Sequence, residues 1–310
     1  MLVEKIKSVM LGHAVGDALG VPVEFLSSSE LDINPVTKMT GNGTWPVPKG
    51  TWSDDTSMSL GTLVALVNYG VNYDKIFENF AKWYYRGEFT ATGRAFDVGN
   101  ACRISIRNYF EEGLPWYDAG TKGEFSNGNG SLMRIHPAVL YLSDKNLSLD
   151  KKLEIIHNVS SLTHAHKRSK IACGIYAFVL WEILISQSKQ AVFLGLKKAQ
   201  EFYKEEDELI HFDRLFSQSF IETNISLIKS SGYVVDTLES SIWCLLTTET
   251  YKDCVLKAVN LGEDTDTVGA VAGGLAGALY GYDSIPKEWK DDLLKLDYIE
   301  FLCEKASLRF

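Results

Sequence analysis

An all-α fold in one domain, residues 1–310, is what this sequence predicts, and three observations predict it. Apolar residues recur at helical spacing along nearly the whole chain, and no long stretch shows the period of two that marks a half-buried strand. No linker rich in Pro, Gly or Ser separates two halves. The 310 residues are 45% hydrophobic and 23% charged, the balance of an ordinary globular chain with material for a sizeable core.

From the N-terminus, Ile6, Val9, Met10 and His13 define a first helix, with His13 read as a core residue. The same segment carries Gly12, Gly16 and Gly20 at intervals of four, and a second stripe, Gly269, Gly273 and Gly277, occurs near the C-terminus. An interior helical glycine loses roughly 1 kcal/mol relative to alanine, so two such stripes imply either a compensation, close approach of helix backbones in the core, or that one or both segments are partly non-helical there. Pro35, Pro46 and Pro48 mark an irregular segment from about Ser27 to Asp54, in which Trp52 is read as a loop anchor. Helices follow at Leu60, Leu63, Val64 and Val67, and at Val235, Leu238, Ile242, Leu245 and Leu246. The apolar runs Ile171 to Ile185 and Val268 to Gly281 fall short of the ~18 residues of a membrane span and read as buried helices.

Charge and cysteine usage narrow the class. A formal net charge of −9 excludes a broad basic surface for nucleic acid or anionic lipid. Five cysteines, odd in number and without a Cys-x-x-Cys pair, fit a reducing compartment. The start is a poor signal peptide, because His13 and Asp17 interrupt its apolar run. The expectation is a cytoplasmic monomer that engages no membrane.

Two segments stand apart, Gly50-Thr-Trp-Ser-Asp-Asp-Thr-Ser-Met58 and Gly262-Glu-Asp-Thr-Asp-Thr-Val-Gly269. Each places carboxylates and hydroxyls just ahead of an apolar helical run, where a helix N-terminus favours negative charge. A cap needs one side-chain oxygen, whereas Asp54, Asp55, Asp264 and Asp266 supply four carboxylates and Ser53 and Thr267 add hydroxyls. Such an excess suits hard divalent cations, which prefer oxygen ligands. Spacing alone leaves helix capping and metal binding both open.

Four motifs, Gly16-Asp-Ala-Leu-Gly-Val-Pro-Val-Glu24, Trp52-Ser-Asp-Asp-Thr56, Gly128-Asn-Gly-Ser-Leu-Met-Arg134 and Gly262-Glu-Asp-Thr-Asp-Thr267, occur in the order found in the ADP-ribosylglycohydrolases. In this the chain resembles that family over nearly its whole length, including the dinitrogenase-reductase-activating glycohydrolases and ADP-ribosylarginine hydrolases. The resemblance implies a compact orthogonal helical bundle with a dinuclear metal cleft that receives ADP-ribose. It implies two divalent cations, Mg²⁺ or Mn²⁺, on Ser53, Asp54, Asp55, Asp264, Asp266 and Thr267, with Asp266 as the bridge. Ser53 stands where the family more often has threonine, and the hydroxyl is retained. Glu24 matches an acid at the metal site or its water, with an exposed loop carboxylate as the competing reading.

The same resemblance assigns ligand contacts to Ser126, Asn127, Gly128, Asn129, Gly130 and His164, and glycines there let backbone N–H groups approach a diphosphate. Arg134 is read as a phosphate counter-charge or a structural ion-pair residue, and His166, Lys167 and Arg168 as surface charge. Asp97-Val-Gly99 matches an Asp-x-Gly of members that act on ADP-ribosyl-arginine, against the plainer reading of Asp97 as a helix-start residue. The implied reaction is hydrolysis of an N-glycosidic bond on a modified protein, with Asp55 or Glu24 taking the proton of the attacking water and Asp97 steering the departing guanidine. No cysteine adjoins the motifs, so covalent catalysis by cysteine is not expected. Other ADP-ribosyl linkages (serine, nucleobase), a non-catalytic ADP-ribose binder and a metal phosphohydrolase are the competing functions.

Overall fold

The computed structural model describes residues 2–310 and contains fifteen α-helices. The first five are α1 (Leu2–Gly20), α2 (Ser28–Ile33), α3 (Asp54–Tyr69), α4 (Tyr73–Arg86) and α5 (Asn100–Phe110). There follow α6 (Trp116–Ala119), α7 (His136–Ser143), α8 (Leu149–Ser161), α9 (Lys167–Ser186) and α10 (Lys189–Tyr203). The chain closes with α11 (Val234–Leu246), α12 (Tyr251–Val259), α13 (Thr265–Tyr280), α14 (Lys287–Asp292) and α15 (Leu296–Ser307). Among the described residues there is no β-strand, only the isolated bridges Thr121–His164 and Gly128–Tyr233.

Local signals start five of these helices. Ser53, Asn72, Ser148, Ser188 and Thr250 each accept a backbone N–H of the first turn of the helix that follows, satisfying donors the helix leaves open. At Gly87, φ is 68°, and this left-handed residue ends α4. One expectation is corrected here: the segment from Ser27 to Asp54 is not irregular throughout. It opens with α2, started by a capping box between Ser27 and Glu30 that the Ser-x-x-Glu pattern encodes.

The centre of the molecule is the pair α1 and α13, which run antiparallel in close contact along their glycine stripes. A Cβ placed on Gly269 would stand 2.7 Å from the Gly16 carbonyl oxygen, and one on Gly16 would stand 2.5 Å from the Gly269 carbonyl carbon. Gly12 faces Gly273 and Gly277 in the same way, and Gly20 meets the backbone of Thr265 and Asp266. The predicted compensation for six helical glycines is thus realised as backbone-to-backbone packing. Around this pair stand α3, α9, α11, α12 and α15.

Helix α9 spans 20 residues and is long and apolar enough to cross a membrane by length and composition, exceeding the 171–185 run read from sequence. It is a core helix, with 72% of its apolar window buried against neighbours that include α8, α10, α7 and α11. Of the basic group at its start, Lys167 is exposed as expected, whereas Arg168 is buried between Glu124 and Glu208 at 2.8 Å each and His166 caps the helix. His13 and Trp52 are buried as expected, the latter donating to the Phe89 carbonyl at 3.2 Å.

Candidate active site

The glycine contact fixes the site, because it lays the C-terminal end of α1 against the N-terminal end of α13. From that end of α1, Asp17 holds the start of α3: its carboxylate accepts from Ser53 N–H at 2.8 Å, Thr56 N–H at 3.0 Å and the Thr56 hydroxyl at 2.6 Å. Sequence reasoning gave Asp17 no role. The available signal was an acid in a stripe of glycines and apolar residues, a place no solvated carboxylate occupies.

Asp54 and Asp55 occupy the first turn of α3, behind the cap Ser53. Asp55 is fully buried, and its Oδ2 accepts from Ser53 Oγ at 3.1 Å and from Thr267 Oγ1 at 3.3 Å, which joins the two acidic segments across the core. Asp266 Oδ1 accepts from Thr267 N–H at 2.9 Å, and Asp264 Oδ2 accepts from Asn129 Nδ2 at 2.9 Å. Two buried oxygens, Asp55 Oδ1 and Asp266 Oδ2, meet no hydrogen-bond donor at all. Capping therefore leaves most of these carboxylate oxygens unused, and the choice left open by spacing falls against capping alone.

Glu24 is 3% exposed, not the solvated loop acid of the competing reading, and Trp45 donates its indole N–H to Oε2. Asp97 is not a helix-start residue either. It sits in the loop ahead of α5 at φ 51°, uncommon for a side-chain-bearing residue, and Gly99 is the residue at the cap. One oxygen each from Glu24, Asp97 and Asp266 lie within 4.8 Å of one another, a spacing that can hold a metal ion.

The electrostatics follow from burial. Desolvation first, and the Asp97 charge second, push Glu24 up to about 9. Desolvation and then Asp264 raise Asp97 to about 7, and Asp54, Asp55 and Asp266 all stand well above the usual carboxylate range for the same two reasons. The charges acting on Asp55 are those of Asp17, Asp264 and Asp97, every one negative. Such crowding is expensive without a cation to offset it, and the orphaned oxygens of Asp55 and Asp266 are of the type a hard divalent ion binds.

These acids floor a cleft of about 480 Å³. Glu24, Asp54, Asp97, Asp264 and Thr267 reach its surface, while Ser53, Asp55 and Asp266 stand behind them. Its walls include Gly99, Ser126, Gly128, Asn129, Gly130 and His164, as expected of the ligand-contacting set. The bridge from Gly128 to Tyr233 and a bond from Asn129 N–H to the Gly232 carbonyl at 3.0 Å pin the glycine turn. Asn127 lines an adjoining pocket that shares Phe125, Gly128 and Gly232 with the cleft, and its side chain is bonded to the Glu124 carbonyl and Ser169 Oγ at 2.9 Å each.

Two further expectations are corrected. Cys102 does reach the site, lining the cleft 3.1 Å from where a Gly130 Cβ would stand, because the fold brings α5 against the turn. Burial raises its thiol pKa, so it remains a neutral wall residue. Arg134 neither reaches the cleft nor forms an ion pair. It is fully buried and donates to the Val159 carbonyl and to Thr163 Oγ1.

Fold and site define the class: an all-helical hydrolase whose cleft is floored by crowded carboxylates and walled by a glycine turn. The family model for ADP-ribosylglycohydrolase matches residues 1–310, and the chain belongs to that family. It is 32% identical to ADP-ribosylarginine hydrolase Tri1 of Serratia proteamaculans over 97% of this chain and 78% of that protein. To the ADP-ribosyl-[dinitrogen reductase] glycohydrolase of Rhodospirillum rubrum it is 35% identical, over 93% of this chain and 88% of the relative. A solved structure described as an ADP-ribosylglycohydrolase-related protein complex superimposes with a TM-score of 0.83 at 30% identity, covering 99% of this chain and 98% of its own. The protein is accordingly a glycosyl hydrolase of ADP-ribosyl groups.

Proposed function

We propose that this cleft hydrolyses the N-glycosidic bond between ADP-ribose and an arginine side chain of a modified protein, with two divalent cations, Mg²⁺ or Mn²⁺. The observation that carries the reading is the set of buried carboxylates without a compensating cation, in which Asp55 Oδ1 and Asp266 Oδ2 lack any donor. Ser53, Asp54, Asp55, Asp264, Asp266 and Thr267 are the residues that would hold the ions, and Glu24 and Asp97 border the same space. Bound cations would offset the negative charge of the floor and polarise the oxygens placed against it.

The chain's own residues divide the proton traffic. Glu24, held by the Trp45 indole, would be ionised once bound cations offset the floor's negative charge, and takes a proton from the attacking water. Asp97, beside Gly99 and close to Glu24 and Asp266 on the same floor, accepts the N–H groups of the guanidinium and steers it; the departing nitrogen keeps the electron pair of its bond to the anomeric carbon, and the guanidine so formed takes up the proton that Glu24 received from water. The glycine turn and His164 bind the phosphate-bearing part of the ligand and hold the ribose in place. Support for arginine as the linked residue comes from the Asp97-Val-Gly99 segment and from the relatives whose names specify ADP-ribosylarginine and dinitrogen reductase.

The test is incubation of the protein with arginine-, serine- and nucleobase-linked ADP-ribose, in Mn²⁺ or Mg²⁺ and in chelator. The expected result is cation-dependent release of intact ADP-ribose from the arginine conjugate. Arginine conjugates left intact while another linkage is cleaved would overturn the substrate, AMP as product would point to diphosphate cleavage, and tight binding without turnover would make the protein a binder.

A further inference from the structure

The buried arginine that ends the third motif, Gly128 to Arg134, has a use in the site that it does not touch. Arg134 is fully buried, stands 4.5 Å from the Phe80 ring centre, and has no carboxylate partner among the described residues. Its Nη2 donates to Thr163 Oγ1 at 2.7 Å, and Thr163 Oγ1 lies 2.8 Å from His164 Nδ1. An arginine only donates, so the Thr163 hydroxyl accepts from it and retains its own proton to give. Of the groups near that hydroxyl, the imidazole nitrogen is a far better acceptor than the thiol sulfur of Cys102. The proton therefore goes to Nδ1, and the neutral ring carries its own proton on Nε2.

Geometry directs that second nitrogen to the ligand side. His164 is 2% exposed, no protein group hydrogen-bonds its Nε2, and the ring faces the glycine turn: a Cβ on Gly128 would stand 3.5 Å from Nε2. The backbone holds it there, with Ala165 N–H donating to the Thr121 carbonyl at 2.8 Å and Thr121 N–H donating to the Thr163 carbonyl at 3.1 Å. We propose that Arg134 and Thr163 are positioning residues that lock His164 in the neutral Nε2–H tautomer, so that the ring presents a donor to an anionic phosphate oxygen of the bound ligand. The opposite tautomer would aim a lone pair at that oxygen. Burial, and then the Arg134 charge, lower the imidazole pKa to about 3, so the ring stays neutral at physiological pH. Only the identity of the ligand rests on the function proposed above; the lock itself is a property of the ligand-free chain.

The experiment is a long-range ¹H–¹⁵N imidazole spectrum of the full chain at neutral pH, its six histidines distinguished by the signals lost in His164→Gln. The expected pattern for His164 is an unprotonated Nδ1 and a protonated Nε2. Thr163→Val should abolish that pattern and weaken ADP-ribose binding about ten- to a hundredfold, the range for one hydrogen bond to a charged acceptor, raising KM more than it lowers kcat. Thr163→Ser should restore both readouts, and Arg134→Met should loosen the pattern with Thr163 in place. An Nδ1–H or doubly protonated ring in the wild type, or Thr163→Val with pattern and affinity unchanged, would overturn the proposal. A locked ring in a protein that fails to bind ADP-ribose would instead count against the substrate.

Discussion

Replacing Gly16 by alanine tests whether the α1–α13 contact builds the site. The new Cβ would stand 2.5 Å from the Gly269 carbonyl carbon and 3.0 Å from Ala270 N. Carbon atoms in contact settle at about 3.5–4.0 Å, so the deficit is about 1 Å or more, and both obstructing atoms belong to helix backbone that no rotamer change can move. The helices must separate. Overpacking of this kind costs about 1–3 kcal/mol, against which alanine returns at most about 1 kcal/mol of helix propensity. The functional loss should exceed the stability loss, because the adjacent residue, Asp17, positions Ser53 and Thr56, and a misplacement of about 1 Å in a reacting site lowers turnover about 10²-fold. Urea denaturation followed by circular dichroism gives the first quantity and ADP-ribose release the second. Gly61→Ala is the control, since its Cβ would meet side-chain atoms only at 3.5 Å and beyond, within α3, and should be neutral or slightly stabilising. Wild-type stability and turnover in Gly16→Ala, or equal damage in Gly61→Ala, would refute the reasoning.

Asp55→Asn and Asp266→Asn should each reduce turnover about 10³-fold or more while the far-ultraviolet spectrum is unchanged, and full activity in either would remove that residue from the site. In chelator both variants should be at least as stable as the wild type, since each removes a buried acid crowded by other acids while the amide oxygen can still accept the hydrogen bonds from Ser53 and Thr267. Cation-free protein should lose stability as pH rises. Glu24 and Asp97, raised to about 9 and about 7 chiefly by burial, bind their protons more tightly folded than unfolded, so the stability they contribute is full below about pH 4 and is lost as pH climbs through those values. Thermal melts from pH 5 to 8 in chelator should show a falling Tm, and millimolar Mn²⁺ should raise it more at pH 8 than at pH 5; a Tm that rises with pH in chelator would contradict this. Asp97→Asn should keep ADP-ribose affinity within a few-fold while kcat on the arginine conjugate drops about 10²–10⁴-fold, measured by calorimetry and by product release.

The all-α class was legible because helical periodicity and the absence of period-two alternation are local properties. The glycine stripes gave more than local structure, since their cost demanded a close partner and the only matching stripe was the other one. The contents of the acid floor could be read from Asp54, Asp55, Asp264 and Asp266; the setting of Asp17 hinted at burial, but its work could not be read, because it lies in three hydrogen bonds to residues far along the chain. Arg134 misled for a related reason: an arginine is expected to meet a carboxylate or phosphate, and only the fold shows that it is sealed against Phe80 and Thr163. Asn127 was assigned to the cleft with its neighbours, and it lines the pocket that adjoins the cleft, with its amide held by Ser169. Cys102 escaped notice because spatial proximity to the turn is set by where α5 packs, which no motif spacing records.

Crystals soaked in Mn²⁺ and measured near the manganese absorption edge test the central claim most directly. The account predicts two anomalous peaks on the cleft floor, ligated by oxygens of Asp54, Asp55, Asp264 and Asp266, with Asp55 Oδ1 and Asp266 Oδ2 no longer orphaned. A floor with no anomalous density at saturating Mn²⁺, or peaks bound only at surface carboxylates, would contradict it.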